Sequence, residues 1–253
     1  MKTIISKFKI SEWTYLFFFL AFCMGMFQRV LILFSILVIH EVGHLFFIQL
    51  FSYPVIKVVF YPFGGICKIS HKINDSILKD LVISSGGILS QLILEIILLR
   101  SSILNKELFL FYNQMILLFN LLPIIPLDGS VFWHHFLEFF FSFELSLKVY
   151  EVVSLIFLFG FFLYNIFFQV HNYFMCLVLL GQYHLYLKNK KHYVNRFYLE
   201  RYLQDFPYSK IKNEKGRNYR VLRKNIRHFF YDDNKYYSEK EILKSHFDKM
   251  YIL

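Results

Sequence analysis

Residues 30–51 read VLILFSILVIHEVGHLFFIQLF, and outside the motif HEVGH their only polar side chains are Ser35 and Gln49. A run of about 20 apolar residues is long enough to cross a bilayer as a helix. Ionisable side chains inside such a run are costly and mark functional positions. The run therefore predicts a membrane span that carries a functional site at residues 40–44.

The spacing within the motif is that of a zinc site. On a helix, residues four apart share one face and lie about 6 Å apart along the axis, so His40 and His44 can both bind one metal ion. Glu41 would lie beside the metal, where a general base for hydrolysis belongs. HExxH is short enough to arise by chance in a soluble helix, but chance does not account for two histidines and a glutamate in hydrocarbon.

Composition places the chain among polytopic membrane proteins. Its 253 residues are 57% hydrophobic and 21% aromatic, with a mean hydropathy of +0.45. The net charge of +10 is concentrated at the C-terminal end, since residues 188–253 hold 17 Lys and Arg against 8 Asp and Glu. Three cysteines are too few for a disulfide framework. We therefore predict a membrane domain over residues 1–187 and a basic cytoplasmic tail over residues 188–253.

The predicted fold is an all-α polytopic membrane protein of about six transmembrane helices, with a small α+β tail. Lys and Arg are concentrated in the connections on one side, which places both termini in the cytoplasm. No cleavable signal peptide is expected, because no small-residue cleavage site follows the first apolar run. The predicted spans are residues 13–27, 30–51, 78–99, 108–127, 149–168 and 173–187.

Between the second and third spans, residues 55–61 and 65–70 are rich in β-branched and aromatic side chains. They predict a β-hairpin at the membrane face, and the alternative is an irregular loop. In the third span, residues 84–91 hold several small side chains, which favour close helix packing over a direct role in the site.

A metal held by two histidines needs a third protein ligand. Residues 120–129 read NLLPIIPLDG, and Pro123 and Pro126 interrupt the helix there. Asp128 would then stand on an unwound segment on the same side of the membrane as His40 and His44. The alternative is that Asp128 caps the helix that follows.

HExxH in one span and Asn-x-x-Pro-x-x-x-Leu-Asp-Gly in a later one resemble the paired signature of the site-2 protease family of intramembrane zinc metalloproteases, peptidase M50. The resemblance implies one zinc ion per chain, bound by His40, His44 and Asp128. It also implies that Glu41 activates water and that Asn120 positions the substrate or the oxyanion. The matching residues are His40, Glu41, His44, Asn120, Pro123, Leu127, Asp128 and Gly129.

The short layout with a cytoplasmic tail is similar to the sporulation branch of that family, which processes the membrane-associated precursor of sigma factor K. The resemblance implies a sigma-factor precursor as substrate, membrane inhibitor or regulator proteins as partners, and the outer forespore membrane as the location. Branch members carry a cystathionine-β-synthase (CBS) type domain after the last span. Residues 217–237 are expected to form strands and residues 238–250 a helix with a serine cap. No glycine-rich nucleotide signature is present in this tail, so ATP binding is left open.

Functions other than proteolysis agree less well with the sequence. The basic tail fits cytoplasmic topology and attraction to anionic lipid, and we do not expect nucleic-acid binding. His134 and His135 could be additional ligands, but we expect them at the membrane interface beside Trp133. A catalytically inactive relative that binds membrane helices, or a metal transporter, remains an alternative. A transporter should show ligands repeated along several spans, and the sequence shows none.

Overall fold

The computed structural model describes residues 8–61, 64–167, 173–208 and 210–250, and most of these residues are helical. The helices in this part of the chain are α1 (Glu12–Cys23), α2 (Phe27–Leu50), α3 (Ile77–Arg100), α4 (Lys106–Leu121), α5 (Asp128–Leu137), α6 (Phe143–Phe167), α7 (Tyr173–Leu203) and α8 (Glu239–Met250). The strands are β1 (Phe8–Ile10), β2 (Val55–Tyr61), β3 (Gly64–Ile69), β4 (Lys210–Lys215), β5 (Ile226–Asp232) and β6 (Lys235–Ser238).

Three helices of the described residues, α2, α3 and α6, are long and apolar enough to cross a membrane. They correspond to the second, third and fifth predicted spans. The other three predicted spans are not confirmed. Helix α1 has 12 residues and α4 has 16, and at about 1.5 Å per residue neither reaches the roughly 30 Å of a hydrocarbon core. The sixth predicted span forms the first half of α7, whose second half is polar.

Backbone chemistry explains why two of the predicted spans end early. The chain turns at Gly25, whose φ of +69° is readily adopted only by glycine, so the predicted span 13–27 stops at Cys23. Helix α4 ends at Leu121, and Leu122 is already extended because the residue before a proline is disfavoured in a helix. The predicted span 108–127 therefore ends before the segment that carries Pro123.

The predicted strands after the second span are present, and β2 pairs antiparallel with β3. Residues 62 and 63, which connect them, lie outside the described residues. The sequence did not predict β1, which pairs parallel with β2 and gives the sheet order β1-β2-β3. Val58 and Phe60 of β2 pack against Leu45 and Ile48 of α2, so the hairpin is fixed to the helix that carries HEVGH. Its position at the membrane face stays a prediction.

The chain divides into two compact units. The first contains the chain up to His71, Val82–Leu122 and Leu127–Gly129, and thus the HEVGH motif and Asp128. The second contains Lys72–Leu81, Pro123–Pro126 and Ser130–Leu253. The predicted domain boundary falls between residues 187 and 188, where α7 continues without interruption.

The core of the second unit joins α6, α7 and the C-terminal segment. Phe143 of α6 stacks on Phe197 of α7, with ring centroids 3.8 Å apart, and Phe230 and Leu243 belong to the same buried cluster. In the C-terminal segment, β4 pairs parallel with β5, and β5 pairs antiparallel with β6. The predicted helix over 238–250 is α8. Its capping box is confirmed, since Ser238 N–H donates to Glu241 Oε2 at 2.7 Å and Glu241 N–H donates to Ser238 Oγ at 3.3 Å.

Arg201, at the end of α7, is almost fully buried at 1% exposure. Its guanidinium donates to both carboxylate oxygens of Glu239, at 3.1 Å and 3.0 Å. It also donates to the carbonyls of Arg223, at 2.6 Å, and Ile226, at 2.5 Å. Because a buried charge without its partner is strongly destabilising, this pair holds the C-terminal sheet to α7.

We expect Glu239→Gln to lower the free energy of unfolding of this unit by about 3 kcal/mol, because Arg201 would lose a buried counter-charge. Burial alone would raise the pKa of Glu239, but the hydrogen bonds from His228 and the charge of Arg201 lower it. A carboxylate with a lowered pKa stabilises the fold above its unfolded value of about 4.5, and the stability is lost as the pH falls through the folded value. Denaturant unfolding between pH 3 and 7 would show this loss for the unmodified chain.

The matched control for that experiment is Lys240→Ala, which removes an exposed ion pair with Asp205. Exposed pairs of this kind contribute less than about 1 kcal/mol. Equal effects of the two substitutions would contradict the anchoring role of Arg201 and Glu239.

Candidate metal centre

The three predicted ligands meet at one point in the first unit. His40 Nε2 lies 2.7 Å from Asp128 Oδ2, and His44 Nε2 lies 3.2 Å from the same oxygen. The two Nε2 atoms are 3.3 Å apart. His40 and His44 stand on one face of α2, while Asp128 is the first residue of α5.

This arrangement fits a bound zinc ion. Zinc ligands lie about 2.0–2.2 Å from the metal, so the ligand atoms of a tetrahedral site lie roughly 3.5 Å from one another. Two imidazole nitrogens and one carboxylate oxygen form a common donor set of catalytic zinc sites, which keep one position open for water or substrate. His40 is buried, whereas His44 and Asp128 are partly exposed, as expected of a centre that must admit a substrate.

A hydrogen bond at Nδ1, the ring nitrogen that faces away from the centre, orients each of the two histidines. His40 Nδ1 lies 3.0 Å from Gln91 Oε1, and His44 Nδ1 lies 2.7 Å from the carbonyl oxygen of Ile83. Each oxygen accepts a hydrogen from Nδ1, which leaves the Nε2 lone pair for the metal. Gln91 has no exposed surface, and its backbone carbonyl oxygen accepts a hydrogen bond of 3.1 Å from Asn113 Nδ2.

Gln91 is a site residue that the sequence argument missed. The small residues of 84–91 predicted close helix packing. The signal for a further role was the side-chain amide of Gln91 inside an apolar span. We expect Gln91→Leu to weaken zinc binding at this centre by about 10- to 100-fold, because the ring of His40 would lose the acceptor that fixes it. Competition with a zinc chelator measures the change.

Gln49→Leu is the matched control, since Gln49 is exposed on the same helix as the two histidines. Equal zinc affinities of Gln91→Leu and the unmodified chain would contradict the orienting role. The zinc affinity of the conservative variant Gln91→Asn should lie between those of Gln91→Leu and the unmodified chain. Asparagine keeps an acceptor, but its shorter side chain places that acceptor farther from His40.

Helices α2 and α3 meet closely at the centre, as the small residues of 84–91 predicted. A Cβ added to Gly43 would lie 2.3 Å from the carbonyl oxygen of Gly86. A Cβ on Gly87 would lie 2.4 Å from His40 Nε2 and 2.5 Å from His44 Nε2. Gly87 therefore leaves room for both imidazoles, and any side chain there would displace them.

Glu41 is placed by the hairpin. Its Oε1 accepts a hydrogen bond of 2.8 Å from the backbone N–H of Gly65, in β3. As the neighbour of His40 in sequence, Glu41 stands beside the ligands and is not one of them. The contact joins Glu41, the predicted general base, to β3, one of the two edge strands of the sheet.

Asn120 lies in the last turn of α4 and is partly buried. Its assignment to substrate or oxyanion positioning stays a prediction. The expected position of His134 and His135 at the membrane interface stays a prediction. His134 is buried within the protein, and together with His135 and Glu138 it forms a second group of side chains with metal-ligand geometry.

Residues 28–108 match the family described as peptidase family M50. This segment is therefore similar to a peptidase family M50 domain. The match covers α2 and α3 and thus includes His40, Glu41 and His44, while Asp128 lies beyond it.

The chain is also similar to a curated protein of Bacillus subtilis (strain 168), stage IV sporulation protein FB, with 32% identity over 133 residues. That alignment covers 50% of this chain and 46% of the relative, so the chain spans about half the length of the curated protein that it matches. A solved structure, the site-2 protease from Methanocaldococcus jannaschii, is 22% identical, with a TM-score of 0.49. It covers 70% of this chain and 88% of its own.

Proposed function

We propose that this chain is an intramembrane zinc metalloendopeptidase that cleaves a membrane-associated protein precursor near the cytoplasmic face. The observation that carries the proposal is the convergence of His40 Nε2, His44 Nε2 and Asp128 Oδ2 within 3.3 Å of one another. Glu41 lies beside this group, on the helix that carries both histidines. Two histidines, a carboxylate ligand and an adjacent glutamate are the set of side chains found in the active sites of hydrolytic zinc enzymes.

A bound zinc ion supplies a Lewis acid that polarises a carbonyl group and acidifies water. His40, His44 and Asp128 would hold the ion, and Gln91 and the carbonyl of Ile83 keep the two imidazoles in the tautomer that leaves Nε2 free to bind it. Glu41 accepts the proton of the attacking water and passes it to the leaving amine. The hydrogen bond from Gly65 keeps the Glu41 carboxylate in place for both transfers.

The hairpin supports a way to present the substrate. A transmembrane helix hides its carbonyls in hydrogen bonds, so the scissile segment must unwind before it is cut. In the described part of the chain, β3 pairs with β2 alone and is the edge strand of the sheet. An extended substrate segment can add to this edge by main-chain hydrogen bonds, next to the strand that contacts Glu41.

We extend the proposal to the substrate and the setting. A sigma-factor precursor of sporulation, pro-sigma-K, is the proposed substrate, and the similarity to a protein named stage IV sporulation protein FB supports it. The chain would lie in a bacterial membrane with both termini in the cytoplasm, under the control of membrane inhibitor proteins. Its basic C-terminal segment would contact anionic lipid and form a small CBS-like regulatory domain.

Co-expression tests the activity and the substrate separately. The chain is produced in a bacterium without sporulation genes, together with tagged pro-sigma-K or an unrelated membrane-anchored precursor. We expect a shortened pro-sigma-K with the unmodified chain and none with His44→Ala. Cleavage of the unrelated precursor alone would overturn the proposed substrate. If both precursors stay intact although the chain contains zinc, the proposed protease activity is overturned.

A further inference from the structure

A second group of potential ligands lies in the second unit, at the C-terminal end of α5. His134 and His135 are in the last turn of this helix, and Glu138 follows its final residue. His134 and Glu138 are four residues apart, so their side chains share a face, as His40 and His44 do. Both are buried, at 4% and 2% exposure.

Two atoms of this group lack hydrogen-bond partners among the described residues. His134 Nε2 and Glu138 Oε1 are both buried without a partner, and they face each other at 4.0 Å. Buried polar atoms are nearly always hydrogen-bonded, so a facing pair without partners needs an explanation. The separation is too long for a hydrogen bond and about 0.5 Å longer than that of two ligands on one tetrahedral metal ion, so a small side-chain shift would bring both atoms to one ion.

His135 supplies a third donor. Its Nδ1 is hydrogen-bonded to Glu138 Oε2 at 2.8 Å, a bond that metal binding at Nδ1 would replace. One ligand atom from each of the three residues lies within 4.8 Å of the others. Two imidazoles and one carboxylate form a donor set for Zn²⁺ and similar divalent transition metals.

The charges around the group favour a cation. Lys224 Nζ lies 3.0 Å from Asp80 Oδ2 and 3.0 Å from Glu138 Oε2, and all three side chains are buried. Among Asp80, Glu138 and Lys224, the two carboxylates outnumber the single ammonium by one negative charge. Buried charges are costly unless they are paired, and a bound cation would offset this excess. Lys224 contacts Oε2 of Glu138, so Oε1 faces His134 without competition.

An ion can reach the group from one side. A cavity of about 510 Å³ is lined by His134 and His135, together with Tyr150, Gln182, Asn189 and Lys190. The cavity lies within the second unit and is mostly apolar, but Gln182 and Asn189 in its lining offer partners to the water molecules that accompany a metal ion.

We propose that His134, His135 and Glu138 bind a divalent transition metal ion, with Zn²⁺ as the expected occupant, in a site separate from the one formed by His40, His44 and Asp128. The metal gives His134 Nε2 and Glu138 Oε1 the partner that each lacks among the described residues. Its positive charge offsets the one negative charge by which Asp80 and Glu138 exceed Lys224. It ties the end of α5 to Lys224 of the C-terminal segment through the shared carboxylate of Glu138. This inference does not depend on the proposed protease function.

Metal analysis of the full-length chain, purified in detergent with a tag that contains no histidine, tests the proposal. After equilibration with Zn²⁺ and removal of free metal, we expect two equivalents in the unmodified chain. His134→Asn and His40→Ala should each retain one equivalent, and the double variant none. His192→Asn changes an exposed histidine of α7 and should retain two.

The outcomes separate the two sites. A zinc content of His134→Asn equal to that of the unmodified chain would overturn the second site. The reverse result, in which only His134→Asn loses metal, would support the second site and contradict the zinc centre of the proposed function.

A second measurement keeps the test decisive if His134→Asn does not fold. Cobalt titration of the His40→Ala chain leaves residues 134–138 unchanged and follows the visible absorption of protein-bound Co²⁺. We expect saturation at one equivalent. The absence of a saturable signal in the folded His40→Ala chain would overturn the proposal.

Discussion

Glu41→Gln should lower the rate of substrate cleavage by about 10²- to 10⁴-fold, which is the usual contribution of a general acid–base. Glutamine keeps the size of the side chain, and its carbonyl oxygen can still accept the hydrogen bond from Gly65, but it cannot take a proton from water. The zinc content should stay that of the unmodified chain, because Glu41 is not among the converging ligands. Cleavage of a membrane-anchored precursor in detergent, followed by gel analysis and elemental analysis, measures both quantities.

The matched control is Glu107→Gln, which changes an exposed carboxylate in the first turn of α4. It should leave the cleavage rate unchanged. Loss of metal in Glu41→Gln would assign the residue to the coordination sphere, and near-normal cleavage would remove it from the mechanism.

Asp128→Asn should abolish cleavage and remove one equivalent of zinc. The carboxylate oxygen lies 2.7 Å from His40 Nε2 and 3.2 Å from His44 Nε2, and an amide oxygen is a much poorer zinc ligand. Asparagine is as good a helix cap as aspartate. The variant therefore separates the two roles of Asp128 that the sequence left open.

If Asp128 served only to cap α5, Asp128→Asn would keep both its metal and its activity. Asp233→Asn is the matched control, because the side chain of Asp233 is 83% exposed, and it should behave like the unmodified chain. Circular dichroism of both variants shows whether the helices are preserved.

The convergence of His40, His44 and Asp128 could be predicted because each of them belongs to a short motif. Helical spacing places His40 and His44 together, and the topology brings Asp128 to the same side. The close contact of α2 and α3 also followed from small side chains at 84–91. These inferences need only local geometry and the side of the membrane on which each segment ends.

Other features depend on tertiary contacts that no local pattern encodes. Gln91 orients His40 from a different helix, and its place in the sequence gives no register relative to α2. The buried group at the end of α5 is completed by Lys224, which is distant in sequence. Helix α1 ends before the turn at Gly25, and α4 ends before Pro123. Both helices are therefore shorter than the spans predicted from apolar composition. Strand β1 has three residues, too few for a periodic pattern.

The most direct test of the central claim is metal-dependent cleavage by the purified chain, reconstituted with a membrane-anchored precursor. Zinc is removed with a chelator until elemental analysis finds none, and is then restored in measured equivalents. The centre formed by His40, His44 and Asp128 predicts that cleavage disappears with the metal and returns with it, and that Glu41→Gln stays inactive at full zinc content. Cleavage that persists in the zinc-free chain would contradict the account.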